Sequence, residues 1–146
     1  MKQTILSLSL LAFISTQSMW YDKLTYKPII EPIAIDTLLM AVMAVESNFD
    51  SMAYNSKENA AGVLQIRPIM VREVNRLLGE NKYTLKDRWN KAKSIEMFNV
   101  IRSHLKGASD EKIARTWNGG YNGKNITQTL QYWNKVKQYT LNNIKQ

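Results

Sequence analysis

The stretch "LLMAVMAVESNFD", residues 38–50, predicts the first helix of the fold and contains one residue that does not fit the pattern. Apolar residues at helical spacing, Leu38, Leu39 and Val42, form a core-facing stripe, and the next position on that stripe is Glu46. A carboxylate in this position is unfavourable unless its charge is paired or removed, so its pKa should be raised. A general acid near neutral pH needs such a pKa; a buried ion-pair or capping role for Glu46 is the alternative.

A 146-residue chain with 45% apolar residues can bury one core, so we expect a single compact domain. The first helix is predicted from residue 33 or 34 to Ser47, and a long loop without periodicity at 50–62. Further helices are predicted from Pro68 to Gly79, over about 91–105, from the N-cap Ser109 to "WNGGYNG", and over about 127–144. The last of these carries Leu130, Trp133, Val136 and Leu141 as its apolar residues. No segment alternates as a strand would, so the predicted fold class is all-α.

The first eighteen residues differ from the rest and predict a secretory signal peptide. Lys2 precedes an uncharged apolar run at 5–14, and "STQS" supplies small residues; a buried N-terminal helix is the alternative. The run is too short to span a bilayer, and the absence of Cys excludes a lipoprotein anchor and disulfides. Residues 19–32 are predicted to form an extended lead-in with two prolines, and residues 33–146 the folded domain.

Four short motifs follow one another along the chain: "ESNFD" at 46–50, "AAGVLQIRP" at 60–68, "ARTWNGGYNG" at 114–123 and "YWNKV" at 132–136. Together they resemble the lytic transglycosylases of the soluble, goose-lysozyme-like family over roughly residues 33–136. Each motif is weak alone, but four in this order are specific. The resemblance implies a lysozyme-like helical domain, with little or no sheet, around a glycan cleft.

In that family the Glu of the "ES" motif is the catalytic acid and base, and the resemblance places this role on Glu46. The family's "GLMQ", which lines the sugar cleft, is matched by "GVLQ" at 62–65, with Gln65 contacting the glycan. The family's polar loop residue falls on either Asn55 or Ser56, since this loop is one residue longer than usual. The substrate-binding residues implied by the resemblance are Ser47, Asn55, Ser56, Gly62, Leu64, Gln65, Trp117, Asn118, Tyr121 and Tyr132.

One departure from the family concerns the hydrogen bond to the catalytic carboxylate. The family's "AYN" is matched by Thr116, Trp117 and Asn118, and the family Tyr commonly bonds that carboxylate. Trp117 has an indole N–H but no hydroxyl, so its contact with Glu46 must differ. Tyr121 is the candidate for the missing hydroxyl.

Four further residues lie in or next to the motifs. Trp133 could stack on a sugar face but is expected in the core, whereas the resemblance puts Tyr132 and Lys135 nearer the cleft. Arg67 stands where the family often has Met. It either holds a carboxylate of the peptide stem or lactyl group, or is a solvated residue before Pro68.

The usual glycosidase mechanism needs two carboxylates. Asp50 and Asp87 are the candidates for a second one, and both are expected to be turn or capping residues instead. The resemblance implies a mechanism in which Glu46 alone protonates the MurNAc–GlcNAc bond and then deprotonates the C6 hydroxyl, which closes a 1,6-anhydro ring. No metal or cofactor is expected. Hydrolysis of the same bond, as in lysozyme, is the alternative outcome.

The net charge is +8, and it falls by one, to +7, without residues 1–18. A basic exported domain suits acidic cell-wall glycan, although solubility alone is another reason for the charge. The Lys and Arg residues are dispersed and no groove-reading motif is present, so nucleic acid is not expected as a partner. We expect a monomer in the periplasm or outside the cell, acting on peptidoglycan strands, with a secretion, conjugation or phage apparatus as a candidate partner. A non-catalytic wall-binding module is the competing hypothesis.

Overall fold

A computed structural model describes residues 36–121 and 126–143, and most of these residues are helical. They form five α-helices: α1 Thr37–Ser47, α2 Pro68–Leu78, α3 Lys91–His104, α4 Asp110–Gly119 and α5 Ile126–Asn143. A 3₁₀ helix, Leu85–Trp89, precedes α3. The predicted helical fold class with little sheet is therefore confirmed. None of the helices in the described part of the chain is long and apolar enough to cross a membrane.

The loop predicted at 50–62 contains a small hairpin. Its strands, β1 Tyr54–Asn55 and β2 Ala60–Ala61, pair antiparallel with Tyr54 opposite Ala61. This hairpin is the little sheet that the predicted fold class allows, although the sequence indicated only a loop here. Strands of two residues are too short to produce a visible alternation of apolar and polar residues.

The two ends of α1 are set by local hydrogen bonds. Asp36 is the N-cap, because its side chain accepts a hydrogen bond from the backbone N–H of Leu39 at 3.1 Å, and it also pairs with Arg102 of α3. The predicted start at 33 or 34 is therefore too early. Asn48, with φ 52°, ends the helix in the left-handed conformation, so Glu46 lies in the last turn, as predicted.

The core is formed chiefly by α1 and the helices packed around it. Leu38, Leu39 and Val42 are buried, which confirms the predicted stripe. α1 packs against α4 and α5, and α2 packs against α3. From α3, Phe98 contacts Trp117 of α4 edge-on, with ring centroids 5.1 Å apart. This packing brings the last turn of α1 next to α4 and α5.

The apolar face predicted for α5 is partly wrong. Leu130 and Leu141 are 41% and 51% exposed, whereas Thr129, Tyr132 and Val136 are buried. The buried residues recur at i, i+3 and i+7, which is also a valid helical spacing. The buried face of α5 packs against α1 and α4, and α4 comes so close at Gly119 that an added Cβ would lie 2.5 Å from the Thr129 side chain.

A buried arginine holds the turn that leads into α2. Arg88 is 6% exposed, and its Nη1 donates to the carbonyl oxygens of Asn59 at 2.6 Å and Ile66 at 3.1 Å. Gly62 has φ +79°, and a Cβ added there would lie 1.8 Å from the Arg88 carbonyl oxygen. Only glycine allows this approach, and the turn it permits contains Gln65.

Replacing Gly62 by Ala should lower the free energy of unfolding by about 3 kcal/mol, because a left-handed backbone and a backbone clash add. Gly79 is the matched control: it has φ +72° but nothing within 4 Å of an added Cβ. Gly79→Ala should therefore lose only about 1 kcal/mol. Urea denaturation of both variants tests this, and equal losses would contradict the proposed clash.

Candidate active site

Glu46 receives a hydrogen bond from a residue 86 positions further along the chain. The hydroxyl of Tyr132, on α5, donates to Glu46 Oε1 at 2.8 Å. Tyr132 is 9% exposed, and burial holds its pKa well above the ordinary value, so the hydroxyl keeps its proton. The expectation that Tyr121 supplies this hydroxyl is therefore wrong. The sequence signal was the "YWNKV" motif, which placed Tyr132 near the cleft without giving it this contact.

Burial raises the pKa of Glu46 from 4.5 to about 7. The hydrogen bond from Tyr132 and the positive charge of Arg67 act in the opposite direction, as does hydrogen bonding from Trp117. The negative charge of Glu58 raises the pKa further. Burial is the largest of these effects, so near neutral pH Glu46 is divided between its protonated and ionised forms. The raised pKa agrees with the expectation from the helical stripe.

Glu46 lines an open cleft of about 190 Å³. Of the residues predicted to bind substrate, the cleft contains Asn55, Gln65, Trp117 and Asn118. Asn55 and not Ser56 is the loop residue that lines it, which separates the two alternatives left by the sequence. The cleft is thus built from α1, the hairpin, the turn before α2, and α4.

Ser47, Gly62 and Leu64 do not line this cleft and support it from behind. The Ser47 hydroxyl donates to the Val63 carbonyl at 2.9 Å, which attaches the end of α1 to the turn. Leu64 is fully buried in the core, and Gly62 packs on Arg88. In this structure these three residues pack behind the cleft, and their assignment to direct sugar contact stays a prediction.

Tyr121 also lies outside the cleft. It lines a neighbouring cavity and contacts His104 edge-on, with ring centroids 5.6 Å apart. Its hydroxyl is buried and has no hydrogen-bond partner among the residues described. α4 ends at Gly119 and the chain turns at Gly120, so Tyr121 lies beyond the helix that carries Trp117.

Gln65 is held in the cleft by its own amide. The backbone at Gln65 is left-handed, with φ 44°, and the side-chain Nε2 donates to the carbonyl oxygens of Ala53 at 3.1 Å and Gly62 at 3.0 Å. Both amide N–H groups are thereby engaged. The side-chain oxygen of Gln65 is the group left to accept a hydrogen bond from a ligand.

Two charged residues also line the cleft: Arg67, for which the sequence left two interpretations, and Glu58, which it did not indicate. Arg67 Nη2 donates to the Asn118 carbonyl at 2.8 Å, and its Nη1 lies 3.7 Å from Oε2 of Glu58. Arg67 is therefore a cleft residue and not merely a solvated one. Glu58 was missed altogether, because it belongs to no motif and enters the cleft only through the turn between β1 and β2.

The two carboxylates considered from the sequence have the capping roles expected for them. Asp50 accepts a hydrogen bond from the backbone N–H of Met52 at 2.7 Å. Asp87 accepts one from the backbone N–H of Thr84, also at 2.7 Å, and pairs with Lys93, which chiefly lowers the pKa of Asp87 to about 2. Neither residue lines the cleft.

Glu46→Gln should stabilise the protein in a pH-dependent way. A carboxyl whose pKa is higher in the folded than in the unfolded chain weakens the fold as it ionises, here progressively from pH 4.5 to about 7. The difference corresponds to about 3 kcal/mol. The variant should match wild type at about pH 4 and exceed its free energy of unfolding by about 3 kcal/mol at about pH 8. Urea denaturation at both pH values measures this, and no gain at the higher pH would contradict the burial of Glu46.

One comparison with known proteins gives a match to a family. A family model described as Transglycosylase SLT domain matches residues 33–140, which is most of the chain and includes every cleft residue described above. No curated protein and no solved structure matches the chain.

Proposed function

We propose that this chain, which belongs to the Transglycosylase SLT domain family, is a lytic transglycosylase that cleaves the MurNAc–GlcNAc bond of peptidoglycan. One observation carries the proposal: Glu46, in the "ES" motif, lines an open cleft and has a pKa raised to about 7. A carboxyl group with this pKa can give up a proton at neutral pH and take one back in the next step.

In the first step, protonated Glu46 gives its proton to the glycosidic oxygen, and the bond from that oxygen to C1 of MurNAc breaks. GlcNAc leaves with the proton as a free hydroxyl. The substrate's own N-acetyl oxygen stabilises the positive charge that develops at C1. The Tyr132 hydroxyl, which donates to Glu46 Oε1, then stabilises the carboxylate that remains.

In the second step, the Glu46 carboxylate takes the proton from the C6 hydroxyl of the same MurNAc. The C6 oxygen bonds to C1 and closes the 1,6-anhydro ring, and Glu46 is protonated again. The oxygen of Gln65, whose amide N–H groups are held by Ala53 and Gly62, is placed in the cleft to accept a hydrogen bond from the sugar. Trp117 is largely buried, so its role is to wall the cleft more than to stack on a sugar face.

Product analysis of digested sacculi tests the proposal. The wild-type protein should release muropeptides with 1,6-anhydro ends, detected by mass spectrometry. Glu46→Gln should lower this release by about a thousandfold, because general acid and base catalysis is lost. Glu80→Gln, at an exposed position outside the cleft, is the matched control and should keep wild-type activity. Intact glycan after treatment with the wild-type protein would contradict enzymatic function.

Glu58 gives the hydrolytic alternative a specific basis. It is a second carboxylate in the same cleft as Glu46, and a carboxylate beside the reacting sugar can activate water in a glycosidase. In that case C1 is attacked by water in place of the C6 hydroxyl, and the products carry reducing ends. Glu58 also forms an ion pair with Arg67, with Arg67 Nη1 and Glu58 Oε2 3.7 Å apart.

The ratio of anhydro to reducing ends decides whether Glu58 acts in this way. If it activates water, wild-type products should include reducing ends, and Glu58→Gln should lower their share by about tenfold while anhydro products persist. Glu80→Gln again serves as the control. Reducing ends absent from wild-type digests, or unchanged in Glu58→Gln, would refute the role of Glu58.

We also propose that the protein acts in the periplasm or outside the cell, where its substrate lies. The order of residues 1–18, a positive charge, an apolar run and small residues, supports export. These residues are outside the ranges that the structure describes. The net charge, +8 for the full chain and +7 without residues 1–18, favours association with an acidic glycan.

A further inference from the structure

A second cavity adjoins the cleft. It has a volume of about 550 Å³, lies between α2 and α4, and shares Arg67 and Met70 with the cleft as lining residues. Two consecutive residues of α4 line different sites: Thr116 lines the cavity, and Trp117 lines the cleft. The cleft and the cavity are therefore neighbours that meet at the Arg67 and Met70 side chains.

The inner surface of the cavity is largely apolar. Ile69, Met70 and Ile101 contribute to it, and Ile69 is 57% exposed although it lies on a helix that packs against the core. Concave apolar surface with a few polar groups at its edge is typical of ligand sites. Burial of Ile69 by a ligand would remove exposed apolar surface from water.

The charges around the cavity favour an anionic ligand. Three arginines line it, Arg67, Arg72 and Arg76, against one carboxylate, Glu73. Arg76 already holds Glu73 through two hydrogen bonds, of 2.8 and 2.7 Å. Arg72 has neither an ion pair nor a side-chain hydrogen bond within the described residues, so its guanidinium is available to a carboxylate.

We propose that this cavity binds the acidic peptide that branches from the lactyl group of the substrate. The inference rests on the proposed function, because it places the sugar that carries the peptide in the adjoining cleft. The peptide passes Arg67, its aliphatic side chains contact Ile69 and Met70, and a carboxylate pairs with Arg72. The enzyme thereby favours strands that carry peptides over strands from which peptides have been removed.

Two soluble substrates separate this inference from the proposed function: uncrosslinked glycan strands with their peptides, and the same strands after an amidase has removed them. Wild-type kcat/KM should be about tenfold higher for the peptide-bearing strands, mainly through KM. Arg72→Gln and Ile69→Ser should each bring this ratio close to one. Both positions are exposed, which limits any effect on folding. Lys137→Gln, an exposed loss of charge on α5, is the control and should keep the wild-type ratio.

Each result has a distinct meaning. Equal wild-type cleavage of both substrates, or an unchanged ratio in Arg72→Gln, would overturn the peptide site and leave the proposed function intact. Cleavage of neither substrate would overturn both. Binding of the free acidic peptide to the wild-type protein gives a readout without catalysis: NMR shifts at the Ile69 and Ile101 methyl groups, lost in Arg72→Gln, support the site, and their absence contradicts it.

Discussion

The properties of one desolvated carboxyl group, that of Glu46, depend on how the first and last helices pack. Glu46 belongs to the first helix and its hydrogen-bond donor, Tyr132, to the last, so the contact forms only when α1 and α5 pack side by side. A carboxylate buried here without a donor would be strongly unfavourable. The same burial that makes the position unfavourable for an ionised group raises its pKa to about 7. The same packing therefore affects both stability and acid–base chemistry. Stability favours the neutral carboxyl group, whereas the second catalytic step needs the ionised one.

The charged residues of the cleft modify this pKa without controlling it. Arg67 lowers the pKa of Glu46 and Glu58 raises it, and the two side chains form an ion pair with each other. Opposite charges that lie together largely cancel at a third group, which leaves burial as the dominant effect. Arg67 also donates to the Asn118 carbonyl, so one guanidinium connects the hairpin side of the cleft to α4. The cleft is thus electrostatically balanced around Glu46, whereas the neighbouring cavity carries an excess of positive charge.

Much of the fold could be predicted from local signals in the sequence. The site could be predicted only in part, because it depends on contacts between residues that are far apart in the chain. The stripe through Leu38, Leu39 and Val42, the N-cap Ser109 and the C-cap Gly79 were predicted because each acts within one or two helical turns. The Tyr132 contact joins residues 86 positions apart and has no periodic signature. Glu58 enters the cleft through a hairpin with two-residue strands, which leaves no alternating pattern to detect. On α5, two overlapping helical spacings were compatible with the sequence, and the packing of α5 against α1 and α4 distinguishes them.

Some motif residues face the cleft. Others lie behind it and stabilise a backbone segment that has unfavourable, left-handed φ angles. Within the described ranges, the non-glycine residues with positive φ all fall between 48 and 65: Asn48, Phe49, Asn59 and Gln65. Such conformations persist only where surrounding contacts compensate for them. Here Arg88 binds the carbonyl of Asn59, and Ser47 binds the carbonyl of Val63, next to the turn that carries Gln65. These contacts fix the backbone before any ligand arrives, so the Gln65 oxygen is positioned without a further loss of conformational entropy on binding. Ser47 and Gly62 therefore serve the cleft although neither of them lines it.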